Sequence, residues 1–478
     1  MPDGIDARQA CSAIPPDLET RKDFERLNPI ARNDAKLAMP IIPREQHTIS
    51  RKNISKAALR VLYRLNEAGY DAYLVGGAVR DLLLGGHPKD FDVATNATPD
   101  EVKRLFRNCR LIGRRFRLAH VVYGNEIIEV ATFRGASEEV GVEGDRHIVD
   151  GRIVRDNVWG TIEEDALRRD FRVNAMYYDI SDFSVRDYVG GMKDLDNCVL
   201  HLIGDPATRY REDPVRMLRA VRLAAKLDFR IHPSASAPFS ELGPLLSGVA
   251  PARLFDESLK MFLAGHGLKS FRMLEECKLL KFMFPATARA LKRGDEALRS
   301  LIEQGLENTD ARVAEGKSVT PAFLFAVLLW GEVRDLAHTW GTQGKDVNEA
   351  WARAAAHVVA EQCQRVAIPR RFTITMEEIW SLQPRFEQIQ RKKVFRLLAH
   401  PRFRAAFDFL LLRAAESPAI GELGQWWAHA QQLPHETLAA ALPLHQANAT
   451  GEAEPARPSA TRKRKRRRKP AAGKSGAG

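Results

Sequence analysis

The sequence predicts an α+β chain: a strand-bearing N-terminal part, then helices alone, then a basic tail. Three observations carry this expectation. Residues 73–95 follow the order strand, Gly-Gly turn, helix, strand. Apolar alternation of the strand kind returns at intervals to about residue 203. From about residue 234 onward, apolar residues recur at helical spacing.

A chain of 478 residues has room for two to four domains. With 45% hydrophobic and 28% charged residues it has a globular, water-soluble composition. The net charge of +12 is uneven, because residues 457–478 hold ten Lys and Arg and no acid. Cys11, Cys109, Cys198, Cys277 and Cys363 show neither metal spacing nor a disulfide framework, which fits a reducing cytoplasm. No signal peptide opens the chain, and no apolar run approaches the ~18–20 residues that span a bilayer.

Residues 1–50 are polar, with Pro15-Pro16, and are expected to form a mobile arm or a strap over the first domain. Ser55 caps a predicted helix over 56–68 with Ala58, Val61, Leu62 and Leu65 on its buried stripe. Tyr73-Leu-Val75 is a short strand, and Gly76-Gly77 lets backbone come close to a ligand. The helix that follows offers unpaired N–H groups to a phosphate. Arg80, in its first turn, can fork onto phosphate oxygens. Gly85-Gly86 ends the helix. In the next strand Asp90 and Asp92 share one face and Phe91 takes the other. Two such carboxylates beside a triphosphate cradle can hold two Mg²⁺ ions about 3.5–4 Å apart.

Either half alone has a plain reading, a tight turn or a solvated strand edge. Together, with Arg80 between them, they resemble the nucleotidyltransferase fold shared with DNA polymerase β. The likeness is to its class II branch, which holds tRNA CCA-adding enzymes and bacterial poly(A) polymerases. The resemblance implies a polymerase-β-like head followed by all-α neck and body domains.

Thr98-Pro99-Asp100-Glu101 is a capping box that starts a helix to about Phe106. Residues 109–133 alternate as strands around a Gly124-Asn125 turn. Glu129 would normally face solvent; the resemblance makes it a third metal carboxylate. Residues 135–158 are Gly- and charge-rich, and a long flexible loop is expected. Thr161-Ile-Glu-Glu164 caps a helix running into Arg168-Arg-Asp-Phe-Arg-Val-Asn-Ala175. That run resembles the family's Arg-Arg-Asp motif, which implies nucleotide contact for Arg169 and a catalytic neighbourhood for Asp170. Taken alone, the run would be a surface helix with internal ion pairs. Arg172 departs from the pattern, standing where a small polar residue is expected.

Strands are expected at 176–180, 183–187 and 199–203. Asp213-Pro214 then starts a helix whose Arg216, Arg219 and Arg222 repeat every three residues. On spacing alone this is a solvated basic face. It resembles the family's Glu-Asp-x-x-Arg helix, which implies that Asp213 and Arg216 meet the incoming base and Arg219 and Arg222 the nucleotide or its support. Arg and aromatic residues interleave from Phe372 to Arg413, as an RNA-binding bundle or as solvated arginines. No His-Asp dipeptide marks a phosphohydrolase domain. Arg462–Lys469 are eight consecutive basic residues in a low-complexity segment, expected to be a disordered polyanion-binding tail.

The expected division is arm 1–50, catalytic head 51–190, base-recognising neck 191–270, helical RNA-binding body 271–445 and tail 446–478. Leu111-Ile-Gly-Arg-Arg-Phe-Arg-Leu-Ala-His-Val121 resembles the poly(A) polymerase signature, with Arg114, Arg115 and Arg117 placed to hold a primer backbone. The implied activity is transfer of AMP from ATP to RNA 3′ ends, dependent on Mg²⁺, in the cytoplasm, with RNA-turnover proteins as possible tail partners and no membrane. The alternatives are CCA addition to tRNA, a non-catalytic RNA-binding protein on a decayed polymerase fold, and nucleotide transfer to a small molecule.

Overall fold

A computed structural model describes residues 41–113, 117–135, 146–149, 152–156, 158–343 and 346–442. Expectations for residues 1–40, for Arg114 and Arg115, and for the tail at 446–478 lie outside the described residues.

The strands are β1 (Ile41–Ile42), β2 (Ala72–Val75), β3 (Asp92–Thr95), β4 (Cys109–Ile112), β5 (Leu118–Tyr123), β6 (Glu126–Thr132), β7 (Arg146–Val149), β8 (Arg152–Asp156), β9 (Met176–Asp179) and β10 (Val185–Asp187). Eight of them form one sheet in the order β1-β10-β9-β2-β3-β6-β5-β4. Only the β3–β6 pair is parallel. β2 is central, and its Ala-Tyr-Leu-Val is buried on both faces.

One sheet face enters the main core through Leu74, Val93, Val121 and Val130. Helix α1 (Lys56–Glu67) brings Val61, Leu62 and Leu65 to that core. Ser55 Oγ caps it by accepting from Ala58 N at 3.0 Å, a bond worth about 1 kcal/mol. Helix α2 (Gly77–Leu83) follows the glycine turn, and α3 (Pro99–Leu105) carries the Thr98–Glu101 capping box. The opposite face holds a smaller cluster of Tyr73, Val75, Ala94, Phe133 and Tyr177. Ala166 of α4 (Ile162–Arg168) closes over it.

Several boundaries depart from expectation. The segment 135–158 is not all loop: β7 and β8 pair as an antiparallel hairpin. The helix opened by Thr161 stops at Arg168, because Arg169 turns to extended backbone and Phe171 bridges to Leu202. Asp213 does not open a helix with Pro214 inside it. It ends α5 (Pro206–Glu212), and Pro214 immediately precedes α6 (Val215–Leu227). The strand at 199–203 shortens to β11 (Val199–Leu200), parallel to β12 (Arg230–Ile231).

Helices fill the rest, beginning with α7 (Pro251–Phe262) and including Pro321–Thr342, Val347–Arg365 and Arg370–Phe386. A second core unites Phe386, Phe403, Phe407 and Trp427 near the C-terminal end of the described chain. Among the described residues, no helix is long and apolar enough to cross a membrane. Cys109, Cys277 and Cys363 are free thiols.

Candidate active site

A cleft of about 420 Å³ lies between the sheet end that carries Gly76-Gly77 and the helices that follow β10. The sheet builds one wall. Val75 pairs with Asp92, and Asp92 pairs with Glu129, so backbone ladders set the two carboxylates side by side. Gly76 has φ +78°, and a Cβ there would stand 3.6 Å from Asp92 Oδ2. At that positive φ any larger residue would be strained.

Asp92 keeps access to solvent, yet desolvation of its carboxyl within the cleft pushes it up to about 6, and the negative charges of Glu129 and Asp90 add to this while Arg169 opposes it. Glu129 Oε2 has His120 Nε2 at 3.5 Å. Two carboxylates side by side on one face are an oxygen donor set that suits a hard divalent cation.

Asp90, expected to form the metal-holding pair with Asp92, stands outside the cleft lining, though its charge still reaches the Asp92 carboxyl. It is exposed and precedes β3. The β2–β3 ladder begins at Asp92, because its partner Val75 is the last residue before the glycine turn. Among the described residues, no three acidic, His or Cys side chains are gathered to hold a metal ion.

Arg80 requires a correction. It is 3% exposed and absent from the cleft lining. Its Nε and Nη2 donate to Asp81 Oδ1 at 2.8 and 2.6 Å, and Nη1 donates to Asn174. A Cβ on Gly77 would meet Arg80 Nη2 at 3.3 Å. The guanidinium therefore supports the glycine turn from beneath and does not fork into the cleft.

The facing wall is held by side chains. Arg169 Nε and Nη2 donate to Asp165 Oδ2 at 3.1 and 2.9 Å. Tyr177 Oη accepts from Arg169 Nε at 2.9 Å and donates to Asp165 Oδ2 at 2.7 Å. Burial opposes the Arg169 charge, but Tyr177 and Asp165 outweigh it and raise its pKa.

Asp170 accepts from Arg216 Nε at 2.9 Å and has Arg219 Nη2 at 2.7 Å. Burial would raise its pKa, yet Arg219 and Arg216 together hold it below the ordinary value. Arg216 also donates to Glu212 Oε2 at 2.8 Å and to the Arg209 carbonyl at 2.7 Å. Asp213 is held by both terminal nitrogens of Arg253, at 3.1 and 3.0 Å.

Of the two roles expected for Arg222, nucleotide contact or support, its place in the structure is on the supporting side. It donates to Glu257 Oε2 at 3.1 Å and does not line the cleft, so it belongs to the support of α6 against α7. Gly76, Gly77, Asp92, Glu129, Arg169, Asp170, Asp213, Arg216 and Arg219 all line the cleft.

Sequence reasoning missed Asp165, Asn174, Arg209 and Arg253, all of which line it too. Asp165 was findable, four residues before Arg169 on one helical face. Arg253 was not, because its partner Asp213 lies 40 residues earlier.

A glycine turn beside paired carboxylates, facing a wall of arginines, defines a nucleotidyltransferase, and the comparisons agree. Residues 72–201 match the Poly A polymerase head domain. Residues 228–291 match a probable RNA and SrmB-binding site of polymerase A, and 343–470 the polymerase A arginine-rich C-terminus. Poly(A) polymerase I of Salmonella typhi is 54% identical over 401 residues, 82% of this chain and 86% of the relative. A CCA-adding enzyme of Lactobacillus gasseri is 38% identical over 217 residues, 45% of this chain and 52% of the relative. The fold is also that of the Thermotoga maritima CCA-adding enzyme complexed with tRNA, with TM-score 0.55, 21% identity and coverage of 81% and 84%. The chain belongs to the poly(A) polymerase family.

Proposed function

We propose that this chain adds AMP from ATP to RNA 3′ ends, releasing pyrophosphate, in the cytoplasm. The observation that carries this reading is the pairing of Asp92 with Glu129 directly beside Gly76, across the cleft from Arg169, Asp170, Arg216 and Arg219.

In this reading the Gly76-Gly77 turn brings backbone against the triphosphate. Asp92 and Glu129, with Asp90 moving in from its exposed position, would hold Mg²⁺. Bound metal lowers the pKa of the attacking hydroxyl and stabilises the charge on the leaving group. Arg169 and Arg219 orient phosphate or ribose oxygens, and Asp213 and Arg216 offer an acceptor and a donor to the adenine edge. The head (51–190), neck (191–270) and body (271–445) division belongs to the same reading. So does the basic tail, which adds affinity for RNA through its charge and is a surface for RNA-turnover proteins.

CCA addition shares the head but not this extent of likeness, since the related stretch spans 45% of the chain. The deciding assay offers the full chain an unstructured RNA and a tRNA lacking its last three nucleotides, with ATP and CTP together. Long A-tracts on the unstructured RNA are expected. C incorporation on the tRNA, arrested after three additions, would replace this reading with CCA addition.

A further inference from the structure

The wall that carries Glu129 continues outward as an uncovered sheet face. Residues directly opposite in a ladder point to the same face. Glu129 pairs with His120, Val122 with Ile127, His120 with Arg110, and Leu118 with Ile112. These side chains therefore lie on the face that bears Asp92 and Glu129. The other face of the same strands is filled: Ala119, Val121, Ile128 and Val130 are buried in the main core.

The cleft-side residues are not buried. Ile127 is 51% exposed and Ile112 40% exposed, and Leu118, His120 and Val122 are half-buried. Arg110 is exposed and makes no ion pair with another described residue. Among the described residues, this face thus brings two exposed apolar side chains and an exposed cation together beside the cleft carboxylates.

We propose that the single-stranded 3′ segment of the RNA lies along this face of β4–β5–β6 on its way to Asp92 and Glu129. The inference rests on the RNA-polymerising reading above and goes beyond it by giving the substrate strand a path. Continuity selects the occupant, since the face begins at the catalytic-wall carboxylates and a strand whose end reacts there must leave along one of the adjoining surfaces. Its chemistry suits nucleic acid, because bases pack on apolar side chains while cations meet phosphates. Apolar packing and phosphate contacts carry no sequence information, which suits a strand whose sequence is arbitrary before the first addition.

The test uses the full chain and two substitutions at one position. Ile127→Glu and Ile127→Lys remove the same apolar group but place opposite charges on the face. Ile127→Glu is expected to raise KM for an unstructured RNA by on the order of tenfold, because an added negative charge meets the phosphate backbone. Ile127→Lys should leave that KM unchanged or lower it. In both variants KM for ATP and turnover at saturating RNA should stay at wild-type values. Crosslinking of 4-thiouridine placed a few nucleotides from the RNA 3′ end should fall within residues 109–132. Equal losses in both variants would make Ile127 structural and overturn the proposal, as would an unchanged KM in the Glu variant or crosslinks confined to other elements. A wild-type chain that adds no AMP to RNA would instead reject the function on which the inference rests.

Discussion

The two walls of the cleft each present a carboxylate, and the two are electrostatically opposite. Desolvation pushes Asp92 up to about 6, and Glu129 reinforces it. Asp170 is desolvated as well, but Arg219 and Arg216 outweigh this and hold it below its ordinary value. The sheet wall is thus preset by backbone, with Val75, Asp92 and Glu129 aligned by ladder bonds, and is left short of positive charge. The helical wall is neutralised internally, Asp170 and Asp213 by arginines from another segment and Asp165 by Arg169 four residues on. One wall lacks a counter-charge that ligands can supply, while the other is an ion-pair lattice that ligands must enter. Substitutions should separate them: chemistry lost without stability on the first, stability lost with chemistry on the second.

The largest expected effect is at Asp92. Asp92→Ala removes a ligand-side charge worth several kcal/mol in the transition state, so turnover should fall by on the order of a thousandfold or more. The fold should not suffer, because the variant deletes a desolvated carboxylate with no hydrogen bond to another described residue. Single-turnover AMP transfer and a thermal melt without metal are the paired measurements. Near-wild-type turnover would break the comparison at its first term, and a collapsed melt would show that this wall is not backbone-set.

Asp170→Asn should show the reverse pattern in size. It leaves Arg216 and Arg219 buried or half-buried without their anion, which costs on the order of 3 kcal/mol. The pH dependence follows from the sign of the shift. Asp170 is depressed in the folded chain, so its contribution is fully present above the unfolded value near ~3.9 and fades as pH falls through its lower folded value. Denaturation midpoints of wild type and Asp170→Asn should differ most at neutral pH and converge below about pH 4. A constant gap down to pH 3 would place the loss in packing and not in the ion pairs.

The same contrast explains what the sequence made legible. Gly76-Gly77 and Asp92 were readable because turn chemistry and strand alternation act within a few residues. The capping boxes at Thr98 and Thr161 were readable for the same reason. Asp90 stands before the ladder that opens at Asp92, because alternation gives a face but not where a ladder starts. Arg80 was misread because spacing shows a charge at a helix start but not the Asn174 side chain, 94 residues on, that turns it inward. The β7–β8 hairpin hid in a charged stretch, although Asp150-Gly151 is a hairpin turn signal. Arg209 and Arg253 are set by tertiary approach of segments, which no local pattern records.

The smallest expected effect, at Arg253, asks how stiff the helical wall is. Arg253 and Asp213 meet through two parallel bonds, a geometry that favours a stronger pair. Against this, the Arg253 side chain is 43% exposed, and water and salt screen it. Exposed pairs are typically worth no more than ~1 kcal/mol. Arg253→Ala should therefore lower stability by less than about 1 kcal/mol, while freeing Asp213 at the place where the base is expected. A double-mutant cycle with Asp213→Asn isolates the pair, read both as denaturation free energy and as KM for ATP at saturating RNA. The expected coupling is below about 1 kcal/mol in stability, with the larger signal in KM. Raising salt should shrink the stability coupling further, since an exposed pair is screened within a Debye length. A salt-independent coupling of several kcal/mol would mean that Arg253 belongs to the buried lattice around Asp170, and that the helical wall is one rigid unit with no softer rim.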